Sequence, residues 1–566
     1  MDSIFLGVKN LKIRDLFIFK EPKKKEEFIL QENQQEGKKQ RSEKQDAKSD
    51  NTNKQAPKIS KTLTDNLDRI KDKYTIPTNG DIILREFSIT VKDKTINAFA
   101  VMIDGMIDRK VVDDDILQPL MILSNLDIKG EKKDLAGFIR ARILPHNQLI
   151  ETQDFDKLID QVNFGGIAIF VDGIDSAFVG DVKGFEHRAV EKPNTELVIR
   201  GSMEGFNESL RTNTALIRKR LKDENIIVEN IEIGERGKTP CSMLYIKNIA
   251  NESLVNEVRW RLQNVKIDYL LDSGELEQLI EDSTYMPLPQ MVATERPDRV
   301  AAMLAEGRVA VVVNGSPFVL VMPITGTDLI HSSEDSYVRF SYANLLRFVR
   351  ILAMILSLLL PGLYLAITNF HQEMIPTDLL LAIEASREKV PFPSVIEILI
   401  MEISFELIRE AGIRIPGPIG PTLGIIGALI LGQAAVAANI VSPILIIIVA
   451  VTGIGSFAIP NFSLAFSFRI LRFVFIILAS ISGLLGISTG IFVLGLWLVR
   501  AKSFGVPFIA RYAPVTAGGA NDQIVRLPIW KDERRPDYLN AKDRTKQQKI
   551  SRKWAIRDPK GGDDSE

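Results

Sequence analysis

The residues of this 566-residue chain most able to do chemistry are acids set in an apolar stretch. Residues 393–411 read PSVIEILIMEISFELIREA, and Glu402, Glu406 and Arg409 fall at i, i+4 and i+7 on one helix face. Glu397 lies elsewhere on that helix, and Glu410 near the edge of the face. Bare carboxylates are too costly in lipid, so if this helix crosses a bilayer its acids line water or pair. A ring of them contributed by several copies of the chain would attract cations, as in a cation-selective pore. The competing reading lays the helix along the membrane surface with its acids in water. Gln433 and Asn439 are further polar groups at or near membrane depth; they line a pathway or hydrogen-bond a neighbouring helix. Gly420, Gly424, Ala428 and Gly432 recur at four-residue spacing, a groove of small residues that lets another helix approach closely. Asp113–Asp115, three adjacent acids, suggest a cation site, but a helix start is the stronger reading, because Asp there caps free N–H groups.

The elements that must hold these residues are visible in the charge map. Residues 415–468 contain no charged side chain, 54 in a row; 473–499 contain none over 27, and 351–370 none over 20. A bilayer core of about 30 Å needs about 20 helical residues, so all three runs are long enough to span it, the longest one twice. The reading is an all-α polytopic membrane domain over 340–500 with four to six spans. The positive-inside rule tests its topology. Arginines 339, 347 and 350 precede the first run, 409 and 414 the longest, and 469 and 472 follow it; Arg500, Lys502, Arg511 and a charged tail close the chain. All lie on one side only if 393–411 crosses the membrane and 473–499 goes in and comes back. That last run makes about 40 Å of helix, long for one crossing and short for two, with Gly483, Gly486 and Gly490 available to break it.

The preceding half is of a different composition. No charged segment followed by an apolar one opens the chain, so no cleaved leader is expected and residues 1–340 are placed in the cytosol. Residues 1–62 read as a charged arm: an amphipathic piece over 1–19, then a Lys-, Glu- and Gln-rich stretch with too little apolar surface to fold. Two α/β subdomains follow, at 63–190 and 195–325. Gly166–Val182 (GIAIFVDGIDSAFVGDV) and Gly307–Pro323 (GRVAVVVNGSPFVLVMP) resemble each other as strand, turn and strand, with Asp172-Gly173 and Asn314-Gly315 as tight-turn residues. Two matching hairpins raise an internal duplication without establishing it. Residues 501–566 form a charged tail expected to be largely disordered.

Several functions are excluded or disfavoured. Lys+Arg 71 against Asp+Glu 72 leaves a net charge of −1, without the cationic excess of a nucleic-acid binder. One cysteine, Cys241, rules out a disulfide framework and a Cys-based metal centre, and four scattered histidines make a multi-His site improbable. There is no phosphate-binding loop, dinucleotide fingerprint or nucleophile elbow, and nothing in the chain argues for catalysis or a cofactor. No inverted pair of broken helices points to a secondary transporter.

Longer motifs carry a family resemblance. They are RGSMEGFNESLRTNTALIRKRL (200–221), TERPDRVAAMLAEGRVAVVVNGSPFVLVMP (294–323), LLPGLYLAITNFHQEMIPTDLL (359–380), SREKVPFPS (386–394), EILIMEISFELIREAGIRIPGPIGPTLGIIGALILGQAAVAANIVSP (397–443) and RILRF (469–473). Over about residues 63–515 the chain resembles the A subunit of GerA-type nutrient germinant receptors of endospore-forming bacteria. It departs at Lys389, where the family motif has Gly, and at Asn314-Gly315-Ser316, where Asp-Gly-Thr is usual. The resemblance implies a two-lobed cytosolic region and a membrane domain in the spore inner membrane. It implies as partners a permease-like B subunit that senses the nutrient and a C-subunit lipoprotein. It further implies a homo-oligomer, a pentamer being the size considered, that acts as a nutrient-gated channel for monovalent cations. In that reading the charged helix lies near the conduction path, the small-residue helix packs the assembly and the lobes couple subunits. Two alternatives remain: a non-conducting scaffold that transmits the signal, and the homologous subunit that works beside dipicolinate release.

Overall fold

The computed structural model describes residues 28, 30, 58–91, 94–121, 149–184, 192–193, 195–414, 427, 430–515 and 524–548. Most of the N-terminal arm, the last 18 residues, and Gly420, Gly424 and Ala428 of the small-residue groove lie outside the described residues.

Two five-stranded antiparallel sheets make up the first half. After helix α1 (Leu63–Tyr74), the first sheet is built from β1 (Ile82–Val91), β2 (Lys94–Ile103), β3 (Leu149–Thr152), β4 (Gly166–Val171) and β5 (Ala177–Asp181) in the order β1-β2-β4-β5-β3. A helical segment over 109–121 (α2) and helix α3 (Phe155–Asn163) complete this lobe. The second lobe starts with α4 (Leu210–Arg220). Its strands β6 (Ile226–Ile233), β7 (Thr239–Ile246), β8 (Val292–Thr294), β9 (Val309–Val313) and β10 (Val319–Met322) repeat the arrangement as β6-β7-β9-β10-β8. Helices α5 (Glu252–Gln263), α6 (Ser273–Ile280) and α7 (Pro297–Glu306) flank it. The likeness seen in two hairpins thus extends to the whole strand order.

Both sheets are covered on both faces, which is why their central strands read as unbroken apolar runs. In the first lobe Ile70 and Tyr74 of α1 and Leu158 and Val162 of α3 pack on one face, and Ile116, Leu117 and Leu120 of α2 on the other. Phe99 and Phe170 stack across β2 and β4 at 4.6 Å. Each hairpin loop holds five residues, 172–176 and 314–318, longer than the tight turn expected, with Gly173 and Gly315 in the left-handed region at φ +83° and +90°. The helix start expected at Asp113–Asp115 lies earlier. Asp108 accepts from the N–H groups of Lys110 and Val111, while the three acids sit in a π-helical turn, Val112–Leu117. The lobes are bolted together by Arg218, buried with Asp81 at 2.5 and 2.8 Å, and by Gly80 N–H on the Val228 carbonyl.

Helices α8 (Phe340–Phe370), α9 (Thr377–Arg387), α10 (Ser394–Arg414), α11 (Pro443–Phe457) and α12 (Phe462–Arg500), with a helical stretch over 430–437, form the second half. Helices α8 and α12 are long and apolar enough to cross a membrane. Helix α12 is not one rod. Gly483 leaves helical geometry at φ +58° and ψ −135°. A Cβ on Gly486 would lie 2.1 Å from the Leu478 carbonyl oxygen, and one on Gly490 2.8 Å from the Phe475 ring. Along a straight helix those pairs would stand about 12 and 22 Å apart. The chain therefore reverses at Gly483 and returns beside itself. Its first arm runs parallel to α8, with Gly362 against Phe475 and Phe370 against Gly483. Helix α10 runs the other way, since Ser394 bonds Asn369 at the far end of α8 (3.0 Å), and α11 lies parallel to α10.

The end of α12 returns to the second lobe, and this corrects the expectation of a largely disordered tail. Over 501–515 and 524–548 the chain is packed. Phe504, between β11 (Lys502–Ser503) and β12 (Val506–Pro507), is fully buried in the lobe's core beneath the Arg261 guanidinium at 4.2 Å. Arg526 and Asn344 exchange hydrogen bonds at 2.6 and 3.0 Å, tying the tail to α8, and Ala541 enters the core under α4 and α7. A few anchors suffice to fix a segment whose composition is otherwise polar. Two described residues of the N-terminal arm behave likewise: Phe28 lies at Gly505, and Leu30 enters the second lobe's core.

Two outcomes follow from this packing. Gly483→Val meets Phe370 Cβ at 2.9 Å from a left-handed backbone, and is expected to destabilise the full chain by about 2–4 kcal/mol, read as a lower thermal midpoint in detergent. Asp328 is bidentate to buried Arg308 at 2.8 and 2.9 Å, beside the Tyr538 hydroxyl of the tail. Burial raises the Asp328 carboxyl, but the Arg308 charge and hydrogen bonds outweigh it and hold the group at about 2. The depressed value stabilises the fold above the unfolded carboxyl value near 4, and this is lost as pH falls through 2. Asp328→Asn should cost about 3–5 kcal/mol at pH 7, with a smaller difference from the parent at pH 3, measured by unfolding at both.

Candidate functional site

Helix α10 begins after Pro391 and Pro393, whose missing N–H groups are harmless before a helix start. Ile396, Ile400, Ile403 and Leu407 face outward along it, and Ile398 and Met401 face inward. Its acids divide between those surfaces differently from the face counted on the sequence. Glu397 and Glu402 are both enclosed, at 0 and 1% exposure, whereas Glu406 is partly exposed and Glu410 exposed.

Each enclosed acid has a partner from another element. Glu397 accepts from the Ser442 backbone N–H at 3.0 Å, at the start of α11, and lies 3.6 Å from Arg387 at the end of α9. Glu402 is 2.5 Å from Nη1 of Arg472, itself 2% exposed on the first arm of α12. Arg409 binds both oxygens of Glu406 at 2.9 Å and donates to Ser456 Oγ at 3.2 Å. The charges thus form a layer linking α10, α11 and α12 inside the bundle.

The layer also repairs the backbone of α8. Pro361 stands inside that helix and has no N–H, so the Ser357 carbonyl four residues earlier loses its intrahelical donor. Arg472 Nε donates to that carbonyl at 2.9 Å, and Nη2 to Ser357 Oγ at 3.3 Å. Sequence reasoning counted Arg472 among flanking positive charges and did not select Ser357 or Pro361. The available signal was the proline inside an apolar run, which calls for a donor from elsewhere.

The remaining candidates sit apart from this layer. Gln433 is exposed on the surface of the 430–437 stretch, next to exposed Ala434 and Ala437. Asn439 is exposed and ends that stretch in a left-handed conformation at φ +54°, a position Asn tolerates well. A Cβ on Gly432 would reach Ile446 of α11 at 3.6 Å, an ordinary packing distance. Among the described residues no group of three or more His, Cys, Asp and Glu is placed to hold a metal.

A repeated pair of α/β lobes joined to an apolar bundle with an internal charge layer defines a membrane-associated protein. The family described as Bacillus/Clostridium GerA spore germination protein matches residues 68–538, and the chain belongs to that family. It is 40% identical over 494 residues to spore germination protein KA of Bacillus subtilis, covering 87% of this chain and 90% of that protein. It is also 40% identical over 480 residues to the uncharacterized membrane protein YfkQ of the same organism, covering 84 and 91%. The crystal structure of the N-terminal domain of the A subunit of the Bacillus megaterium spore germinant receptor GerK3 is 32% identical, covers 47% of this chain and 96% of that domain, and superposes with a TM-score of 0.38.

The charge layer makes a direct prediction. Glu402→Gln leaves Arg472 buried without its counter-charge, and should cost about 3–5 kcal/mol. Glu402→Gln combined with Arg472→Met removes both charges but frees the Ser357 carbonyl, so it should recover only part of that loss. Thermal midpoints of the purified single and double variants measure the difference.

Proposed function

We propose that this chain is the A subunit of a nutrient germinant receptor in the spore inner membrane, with its lobes in the cytosol. It converts nutrient binding by a permease-like B subunit, with a C-subunit lipoprotein in the complex, into release of monovalent cations through a channel formed by several copies, a pentamer being the ring considered. The bundle crosses the bilayer six times in this reading: α8, α10, the segment containing 430–437, α11 and the two arms of α12. Reversal at Gly483 supports it, since arms of 21 and 17 residues suit two crossings where one 39-residue rod does not.

The observation that carries the channel reading is the exposed amide of Gln433 in the otherwise apolar 430–437 stretch. Gln433 with Ala434 and Ala437 is uncovered in the single chain, and an uncovered amide in a bilayer requires water or a neighbouring subunit. Glu397 and Glu402 are each held inside the chain through one carboxylate oxygen, so in this reading they hold the bundle together and Gln433 is the group nearer the pathway. A non-conducting scaffold remains the second reading, because the enclosed charge pairs alone would also transmit motion between helices. The dipicolinate-associated relative is separated by the trigger, since a nutrient receptor responds to nutrient.

The test is cation flux from liposomes holding the A, B and C subunits together. Nutrient-triggered flux is expected, and Gln433→Leu should lower it about tenfold while the ring seen by electron microscopy in nanodiscs persists. Unchanged conductance and selectivity would remove Gln433 from the pathway, and an assembled ring that passes no current would leave the scaffold.

A further inference from the structure

The charge layer does not balance. Arg409, Arg469 and Arg472 face Glu402 and Glu406, and Arg469 lies close enough to Arg409, Glu406 and Arg472 to feel their charges. Glu402 is engaged by Arg472, and both oxygens of Glu406 by Arg409. Arg469 is 6% exposed, and its Nε and Nη1 have no hydrogen-bond partner among the described residues. Neither α11 nor α12 contains an acidic residue, Glu410 on α10 is exposed, and the undescribed residues between α10 and 430 carry no charge at all. Among the described residues neither open nitrogen of Arg469 meets a carboxylate, although Glu402 Oε1 in the same layer is itself without a donor. A guanidinium enclosed with two unpartnered nitrogens is costly, and it is stabilised by an anion that accepts from both.

The depth of Arg469 narrows the choice of anion. Two residues before it, Ser467 Oγ donates to the Pro287 carbonyl of the second lobe, so Arg469 lies where lobe and bundle meet. Its guanidinium stands 4.8 Å from the Phe466 ring, and that of Arg409 5.2 Å from the Phe457 ring. Phe466 and Phe457 are 40 and 71% exposed on the outside of the bundle. In a bilayer that level is the headgroup region, and the planar fork of arginine matches phosphate oxygens.

We propose that Arg469, assisted by Arg409, binds a phosphate group supplied by an anionic phospholipid at the lobe-side surface. Free phosphate is the other source of the same chemistry. The inference rests on the reading that the bundle crosses the bilayer. That reading fails separately, if alkaline carbonate strips the full chain from membranes.

The experiment measures thermal unfolding of the full-length chain, delipidated in a zwitterionic detergent, on addition of phosphatidylglycerol, phosphatidylcholine or inorganic phosphate. Parent, Arg469→Gln and Arg469→Lys are compared, with exposed Arg236→Gln as the control. Phosphatidylglycerol should raise the parent midpoint saturably, with half-effect concentration about five- to tenfold higher in Arg469→Gln and an intermediate value in Arg469→Lys. Without lipid, Arg469→Gln should unfold no earlier than the parent, because it removes an unpaired cation. A shift produced by inorganic phosphate alone and lost in Arg469→Gln would keep the anion site and assign it to the free ion. Equal phosphatidylglycerol responses in all proteins would overturn the site. So would a lipid-independent change in oligomer size in Arg469→Gln, which gives the cation to a carboxylate of a second copy.

Discussion

Placing a charge among apolar helices is expensive enough that every neighbouring element has to answer for it, and the Glu402–Arg472 pair shows how this bundle does so. The two residues come from helices separated by 70 positions, both almost wholly enclosed, 2.5 Å apart. Arg472 also serves the Ser357 carbonyl that Pro361 leaves without a donor. One side chain thus satisfies a carboxylate on α10 and a backbone defect on α8 from its place on α12. The mutual position of three helices is thereby set by directional bonds, where apolar contacts alone would allow sliding. The order of the remaining helices follows, since α11 joins the same layer through Arg409 and Ser456 and its start is held by Glu397.

The lobes are organised by a different principle. Each sheet has the same strand order and is covered on both faces, so its stability lies in broad apolar burial. Ionic contacts appear where parts join: Arg218 with Asp81 between the lobes, Asp335 with Arg347 and Arg350 at the start of α8, and Arg308 with Asp328 beside the tail. The receptor role proposed for the chain calls for parts that move relative to one another without unfolding. Polar joints between apolar bodies suit that requirement, because their bonds are directional and exchangeable.

How much of this was legible depends on sequence separation. The hairpins could be read because Asp172-Gly173 and Asn314-Gly315 mark local turns between β-branched strands. Their common strand order could not, because it brings together strands distant along the chain. The apolar runs are plain in the sequence, and three glycines are able to break the last one; only the backbone shows that Gly483 is the one that reverses it. At the candidate site the acids of α10 stood out by type, but their partners did not. Counting a helix face put Glu397 apart from Glu402, whereas the fold encloses both by supplying Ser442 to one and Arg472 to the other. The tail misled for a physical reason: composition weighs the many polar residues, and Phe504 and Ala541 decide the docking.

The reversal at Gly483 brings the end of α12 back to the lobe from which α8 departs. The second lobe is therefore fastened covalently at two points, through Phe340 at the start of α8 and through Ala501 and Phe504 after α12. A body tethered at one point swivels in any direction, while one tethered at two turns only about the line between them. Rotation of the lobe about that line would pull on one helix as it pushes on the other, delivering a shear to the charge layer that both helices share.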